Sequence, residues 1–179
     1  MKELVKFFVE LLNIWKDILN KYELYLGGGT ALMLKYRHRP SYDLDFFVFK
    51  EIELEKVLKE LAFALPFKYD FAIKFPVLIV SNRRFSTKVE IHKRIGKKLM
   101  GFEEIYGIKR LSDLDILLEK VYFIERKRDT DIMDIKLLLN KVGVEIKDLV
   151  DLLVKKFNIN RDYAEMQVEE LEKILKLKD

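Results

Sequence analysis

The stretch that decides the fold is residues 27–47, GGGTALMLKYRHRPSYDLDFF. Three glycines follow a short apolar run at 23–26 and precede residues 30–36, which have the composition of a short helix. A polar turn then leads to Asp43 and Asp45, which open a run of large apolar residues. This order predicts a strand, a glycine turn, a short helix and a second strand.

Asp43 and Asp45 are the first candidate metal ligands. Two carboxylates at positions i and i+2 of a strand project to the same face, roughly 6–7 Å apart, and can hold a divalent ion. A glycine turn before a helix offers free backbone N–H groups and a positive dipole end, which suit phosphate. Carboxylates and a phosphate cradle together indicate metal-assisted phosphoryl or nucleotidyl transfer. The alternative is an ordinary polar strand entry.

Glu90 is the candidate for a third carboxylate. It alternates with apolar residues in the predicted strand 87–92, on the same face as Lys88 and His92. The alternative is an exposed strand residue that pairs with Lys88 or His92. The two histidines, His38 and His92, lack the spacing of a zinc site, so the sequence predicts no histidine-rich metal centre.

A second Asp-x-Asp pair, Asp113 and Asp115, has a different context. Ser112 precedes an apolar helical pattern, and Asp115 follows it at the third position, which is a capping box. On a helix, residues i and i+2 point about 200° apart, so these two acids are not expected to share an ion. We expect a structural role for this pair.

Composition limits the class of protein. The chain has 179 residues, half of them apolar, which indicates one globular domain or a core with an appendage. It has a net charge of +4 and no cysteine, which is compatible with nucleotide or RNA binding in a reducing cytoplasm. No apolar run approaches the roughly 20 residues of a membrane span, and no signal peptide is expected. The abundance of lysine and glutamate is typical of heat-stable proteins.

The motifs resemble a known family. Gly28-Gly29-Thr30, His38-Arg39 and the segment from Ser41 to Phe47 are similar to the AbiEii-type nucleotidyltransferases. These are toxins of toxin–antitoxin pairs within the DNA-polymerase-β-like nucleotidyltransferase superfamily. A second block is similar to the helix pair of that family, and it contains Lys120, Arg126, Asp131 and Asp134. Asp131 and Asp134 also fit an ordinary helix N-terminus bonded to Arg126 or Arg128.

The resemblance implies Mg²⁺- or Mn²⁺-dependent transfer from an NTP to an acceptor, with tRNA as the expected acceptor and a cognate antitoxin as a partner. By position, it assigns the triphosphate to Gly28, Gly29 and Thr30. Ser41 either donates to a phosphate oxygen or caps the turn. It assigns metal to Asp43 and Asp45, with Glu90 as the third acid, and places Lys120 and Asp131 near the nucleotide. We expect an α+β fold, with a polymerase-β-like core of mixed sheet and helices at 1–110 and a helical bundle at 111–179. The local patterns predict helices at 2–21 and 161–177, a mobile basic loop at 96–102 and a further edge strand at 105–111. A small-molecule nucleotidyltransferase and a non-catalytic binding module of the same fold are the alternatives.

Overall fold

The computed structural model describes residues 1–177 and divides into two compact units. The first comprises Met1–Ile95 and Phe102–Arg110, and the second comprises Gly96–Gly101 and Leu111–Asp179. Residues 96–101 therefore group with the helical unit, although they precede the boundary at 110 that the sequence suggested. None of the helices within residues 1–177 combines the length and apolar composition needed to cross a membrane.

The first unit is built on a mixed seven-stranded sheet with helices. Its helices are α1 (Lys2–Lys21), α2 (Gly28–Tyr36) and α3 (Leu54–Phe63). Its strands are β1 (Tyr25–Leu26), β2 (Leu44–Val48), β3 (Asp70–Lys74), β4 (Val77–Ser81), β5 (Ser86–Lys93), β6 (Phe102–Ile105) and β7 (Ile108–Leu111). The strand order is β3-β4-β5-β2-β1-β7-β6, in which β2 runs parallel to β5 and β1 runs parallel to β7. The predicted α+β class is confirmed.

Helix α1 supplies much of the core of this unit. Its apolar residues recur every three or four positions, so they form one stripe along the helix. That stripe is buried, and it comprises Leu4, Phe7, Phe8, Leu11, Leu12, Trp15 and Leu19. The indole N–H of Trp15 donates to the carbonyl of Leu61 at 2.8 Å, which ties α1 to the end of α3. Burial of this stripe holds the helix against the rest of the unit.

The second unit is a bundle of α4 (Asp113–Tyr122), α5 (Asp129–Val142), α6 (Leu149–Phe157) and α7 (Arg161–Leu177). Two short 3₁₀ turns, Ile124–Arg126 and Ile146–Asp148, precede α5 and α6. The rings of Tyr122 and Phe157 stack with their centroids 4.2 Å apart, which packs α6 on α4. The predicted C-terminal helical bundle is confirmed.

One sheet prediction was wrong. Residues 105–111 were expected to form a single edge strand, but they contribute to a hairpin in which β6 is at the edge and β7 lies between β6 and β1. Tyr106 and Gly107 form the turn, with φ angles of 51° and 73°. Two consecutive positive φ values are the signature of a tight two-residue hairpin turn. The Tyr-Gly pair is not one of its strong sequence signals, so the turn was missed.

The Asp-x-Asp pair of α4 has the expected cap and a second role. Ser112 Oγ accepts from the backbone N–H of Asp115 at 3.1 Å, so Ser112 is the predicted N-cap. The reciprocal bond of a capping box is not formed, because the Ser112 N–H donates to the carbonyl of Gly101 at 3.1 Å. Asp115 is also fully buried and accepts backbone N–H bonds from Met100 and Gly101 at 3.0 and 2.8 Å. Its other oxygen pairs with the buried ammonium of Lys156 at 2.5 Å. Asp115 therefore anchors residues 96–101, which lie within the segment 96–102 that was predicted to be a mobile basic loop.

Candidate active site

The glycine turn leads directly into helix α2. Strand β1 ends at Leu26, and the backbone N–H of Gly27 donates to the carbonyl of Asp45 at 2.8 Å. Gly28 begins the helix with a φ of +63°. The first N–H groups of a helix have no partner within it, and they lie at the positive end of its dipole. The start of α2 thus faces strand β2 with the properties of an anion site.

Asp45 and Glu90 lie directly opposite each other in the sheet. Strands β2 and β5 pair in parallel, with Asp45 next to Glu90 and Phe47 next to His92. These side chains therefore share one sheet face. One ligand atom from each of Asp45, Glu90 and His92 lies within 4.8 Å of the others, and all three side chains are partly exposed. This is the group of side chains within residues 1–177 whose geometry suits a metal ion.

His92 is a member of this group that the sequence did not predict. Its Nε2 atom lies 2.9 Å from Oδ1 of Asp45, and its ring packs on Phe47 with centroids 5.0 Å apart. Alternation along the strand predicted His92 on the same sheet face as Glu90, so the sequence already indicated that the two side chains lie close together. The spacing of the two histidines argues against a histidine-rich site, but it does not exclude a single histidine beside two carboxylates.

Asp43 lies differently from Asp45. The sequence placed both residues in one strand, but β2 begins at Leu44, so Asp43 precedes it and is exposed. Its carbonyl accepts from Thr30 Oγ1 at 2.5 Å, which fixes the chain between α2 and β2. Asp43 is not in the group formed by Asp45, Glu90 and His92. Its assignment as a metal ligand stays a prediction.

A lysine borders the acidic group. Lys88 Nζ lies 2.9 Å from Glu90, as the alternative interpretation of that residue anticipated. The hydrogen bond to Glu90 raises the pKa of the Lys88 ammonium above its usual value, and the charges of Asp43 and Asp45 act in the same direction. The acids therefore create a negative potential at this point of the sheet, which is what attracts a cation.

Arg39 and Ser41 lie beside the start of α2. A Cβ on Gly29 would lie 2.6 Å from Nη2 of Arg39 and 2.8 Å from Oγ of Ser41, so a side chain there would displace both groups. Thr30 Oγ1 and Ser41 Oγ lie 3.1 Å apart, and because the Thr30 proton is donated to the Asp43 carbonyl, Ser41 is the donor of this pair. The Arg39 guanidinium, the Ser41 hydroxyl and the N–H groups of the helix start form a donor set that suits phosphate oxygens. Arg39 was not among the predicted nucleotide-binding residues.

The remaining predicted residues, Lys120 and Asp131, lie in the second unit. Lys120 Nζ pairs with Asp131 at 2.6 Å and with the fully buried Asp134 at 2.9 Å. The two acids thus bind Lys120, whereas the sequence suggested Arg126 or Arg128 as their partners. The proximity of Lys120 and Asp131 to a nucleotide stays a prediction.

Comparison with known proteins identifies the family to which this sequence is similar. The model of the nucleotidyl transferase AbiEii toxin of type IV toxin–antitoxin systems matches residues 11–100. An uncharacterised protein of Aquifex aeolicus, aq_aa25, is 30% identical in an alignment of 158 positions that covers 79% of this chain and 69% of the relative. The match to the family model contains residues 28–45 and Glu90, which carry the site described above.

Two solved structures share the fold. The crystal structure of JHP933 from Helicobacter pylori aligns with a TM-score of 0.59 and 21% identity, covering 93% of this chain and 90% of JHP933. The solution structure of the antibiotic-resistance factor ANT(2'')-Ia aligns with a TM-score of 0.57 and 14% identity, covering 94% and 96% of the two chains. These identities are low, so the two likenesses are evidence of the fold alone. With its family match over residues 11–100, the chain belongs to the AbiEii nucleotidyltransferase toxin family and is a nucleotidyltransferase of the polymerase-β-like fold.

Proposed function

We propose that this nucleotidyltransferase uses Mg²⁺ or Mn²⁺ to transfer a nucleotide from an NTP to RNA, with tRNA as the expected acceptor. One observation carries the metal-dependent part of this proposal. The ligand atoms of Asp45, Glu90 and His92 lie within 4.8 Å of one another on a sheet face that borders the start of α2. Carboxylates next to an anion site are what transfer from an NTP requires.

The donor set fits a divalent cation. Carboxylate oxygens suit Mg²⁺, while an imidazole nitrogen is a better ligand for Mn²⁺ than for Mg²⁺. We propose Asp45 and Glu90 as ligands, with Asp43 as a further ligand from the turn before β2. His92 is either an additional ligand or a hydrogen-bond partner of Asp45. A divalent cation held there supplies charge neutralisation for the triphosphate and activation of the acceptor hydroxyl.

The residues around the start of α2 are assigned to the triphosphate. Transfer breaks the bond between the α-phosphorus and the leaving pyrophosphate, so negative charge develops on the leaving oxygens. We propose that the N–H groups at Gly28, Gly29 and Thr30 and the Arg39 guanidinium stabilise that charge. Ser41 is assigned to a phosphate oxygen, because its hydroxyl borders the same space.

The other assignments depend on the family. We propose residues 1–110 as the transferase core and 111–179 as a helical part, with Lys120 and Asp131 near the nucleotide on the strength of their motif. We also propose that the protein is the toxin of a toxin–antitoxin pair, with a cognate antitoxin, and that it acts in the cytoplasm. The family description supports the toxin role, and the net charge of +4 is compatible with an RNA acceptor.

A labelling assay tests the proposal. The protein is incubated with each α-labelled NTP in turn, with Mg²⁺ or Mn²⁺ and total tRNA, beside the variants Asp45→Asn and Asp113→Asn. We expect label on RNA with the wild type and with Asp113→Asn, and none with Asp45→Asn. Asp113→Asn is the matched control, because it makes the same chemical change at a helix start, where it costs at most a few tenths of a kcal/mol. Asp45→Asn is expected to melt at the wild-type temperature or higher, because it removes one of several clustered negative charges.

The outcomes separate the alternatives. Transfer that survives in Asp45→Asn would refute the metal-site assignment. Metal-dependent NTP binding without label on RNA would refute the RNA acceptor and favour a small-molecule acceptor. A wild-type protein that neither binds NTP nor transfers label would favour the non-catalytic module.

A further inference from the structure

Strand β3 forms one end of the sheet. It pairs with β4 on one side, and no strand within residues 1–177 pairs with its other side. Four of its five residues are exposed. An open edge of this length presents unpaired backbone groups to any strand that approaches, and proteins usually shield such edges. We call Asp70–Lys74 the β3 edge.

Hairpin geometry determines which backbone groups face outward. The turn between β3 and β4 has two residues, and Lys74 pairs with Val77 across it. In such a hairpin the closing pair exchanges hydrogen bonds, and bonded and non-bonded pairs alternate from there. Asp70, Ala72 and Lys74 therefore bond to β4, while the N–H and C=O groups of Phe71 and Ile73 point away from the sheet.

We propose that two copies of this chain form a dimer by antiparallel pairing of their β3 edges about a two-fold axis at Ala72. In this register, Phe71 of each copy exchanges two backbone hydrogen bonds with Ile73 of the other. Ala72 faces Ala72 in a non-hydrogen-bonded pair on the axis. Asp70 of each copy lies opposite Lys74 of the other. This inference is independent of the catalytic proposal.

Charge complementarity selects a second copy as the partner. Asp70 and Lys74 of one chain lie about 13 Å apart along the strand, so they cannot pair with each other. In the dimer they face each other in non-hydrogen-bonded pairs, where Cα atoms approach to about 4.5 Å and side chains are closest. Moving the axis to Phe71 would place Lys74 opposite Lys68. The charges therefore favour one antiparallel register of this sequence with itself.

Exposed aromatic side chains surround the β3 edge. Phe63, Phe67 and Phe75 are 74%, 110% and 61% exposed, and Phe71 is 43% exposed. The rings of Phe63 and Phe71 meet edge to face with centroids 5.9 Å apart, which makes them a continuous apolar surface. A second copy pairing at the edge would cover Phe71 with the apolar side chain of Ile73. Apolar surface next to an open strand is typical of an interface.

The dimer would also join the two candidate sites. Lys74, Val77, Glu90 and Asp45 are successive cross-strand neighbours, so they lie on one face of the sheet. Pairing at β3 would make the two sheets continuous, with both acidic groups on the same face. A long acceptor such as RNA would then meet two sites on one surface.

Charge exchange tests this proposal. The wild type, Asp70→Lys, Lys74→Asp and the double variant are compared by sedimentation velocity over a concentration series. Each single variant creates two like-charge pairs in the dimer, so we expect dissociation constants about 10- to 100-fold higher. The double variant restores both opposite-charge pairs and should regain the wild-type value. Lys155→Asp, at an exposed position in α6, controls for the change in net charge.

Mixing supplies a second test. Asp70→Lys carries two lysines at the edge and Lys74→Asp carries two aspartates, so a mixture of the two should form heterodimers more tightly than either forms homodimers. Amide exchange should show that the N–H groups of Phe71 and Ile73 become protected as concentration rises. A monomeric wild type at all concentrations would overturn the proposal. Single variants with the wild-type dissociation constant would also overturn the proposal, and so would a mixture of the two single variants that fails to associate.

Discussion

Gly28→Ala is a sharp test of the site, because the structure specifies what the added methyl group would touch. A Cβ at Gly28 would lie 2.5 Å from Oδ2 of Asp45 and 3.2 Å from its Cβ and Cγ. To reach 3.0 Å, the carboxylate oxygen must withdraw by 3.0 − 2.5, or about 0.5 Å. A misplacement of about 1 Å in a catalytic group costs about 100-fold in rate. We therefore expect Gly28→Ala to lose about 10- to 100-fold in kcat/KM.

Backbone strain must be separated from this contact. Gly28 has a φ of +63°, a conformation that costs a residue with a side chain roughly 1–2 kcal/mol. Gly143 has a φ of +69°, and no atom lies within 4 Å of a Cβ built there. Gly143→Ala therefore incurs a similar backbone cost without touching Asp45. The two variants should lose comparable stability, and only Gly28→Ala should lose transfer.

Three measurements decide the outcome. Thermal melts report the strain, label transfer reports activity, and titration with a non-hydrolysable NTP in Mn²⁺ reports binding without turnover. We expect weaker metal-dependent NTP binding in Gly28→Ala and wild-type binding in Gly143→Ala. If Gly28→Ala transfers as well as Gly143→Ala, the position of the Asp45 carboxylate does not matter for the reaction. The assignment of the site would then be wrong.

Two further predictions concern other charged groups. Lys156→Met should lower the free energy of unfolding by about 3–5 kcal/mol, because it leaves the Asp115 carboxylate buried without its cation. Lys155→Met, at an exposed position of the same helix, is the control and should change the free energy of unfolding by less than about 0.5 kcal/mol. Denaturant titrations of the two variants measure both values. His92→Phe should lower the ratio of Mn²⁺- to Mg²⁺-supported transfer while preserving packing on Phe47, since it removes the nitrogen ligand. An unchanged ratio would show that His92 only orients Asp45.

Local patterns predicted the helices best. The apolar stripe of α1 and the turn before α7 define those helices at residues 2–21 and 161–177, which are the bounds observed. The β6–β7 hairpin was missed because Tyr106 and Gly107 form a tight turn without the Asn-Gly or Asp-Gly signal. Missing this hairpin also changed the predicted strand order. Residues 105–111 were predicted to lie at the edge of the sheet, whereas β7 lies beside β1 and β6 forms the edge.

The site depended on strand register, which a single sequence does not specify. The sequence marked Asp45 and Glu90 as candidate carboxylates, but only the parallel pairing of β2 and β5 shows that they are direct neighbours. The same register brings His92 to Asp45. For Asp115, the local pattern predicted a position in a helix cap but not its burial. The buried carboxylate is paired with Lys156, which lies 41 positions away in the sequence. Long-range contacts decide what a local motif does.

Lys120 illustrates how burial changes the meaning of a motif. As a free ammonium it would provide a point charge for phosphates. In the structure it is bound by Asp131 and Asp134, so the three groups together carry a formal charge of −1. Lys120→Met would leave Asp134 buried beside an apolar group, so lost activity in that variant would report misfolding as readily as catalysis. Asp131→Asn is the more informative change, because Asp131 is 22% exposed and Lys120 keeps its buried partner. If Lys120 contacts the nucleotide, Asp131→Asn should change the affinity for NTP, because it weakens the ion pair between Lys120 and residue 131. The melting temperature should change little.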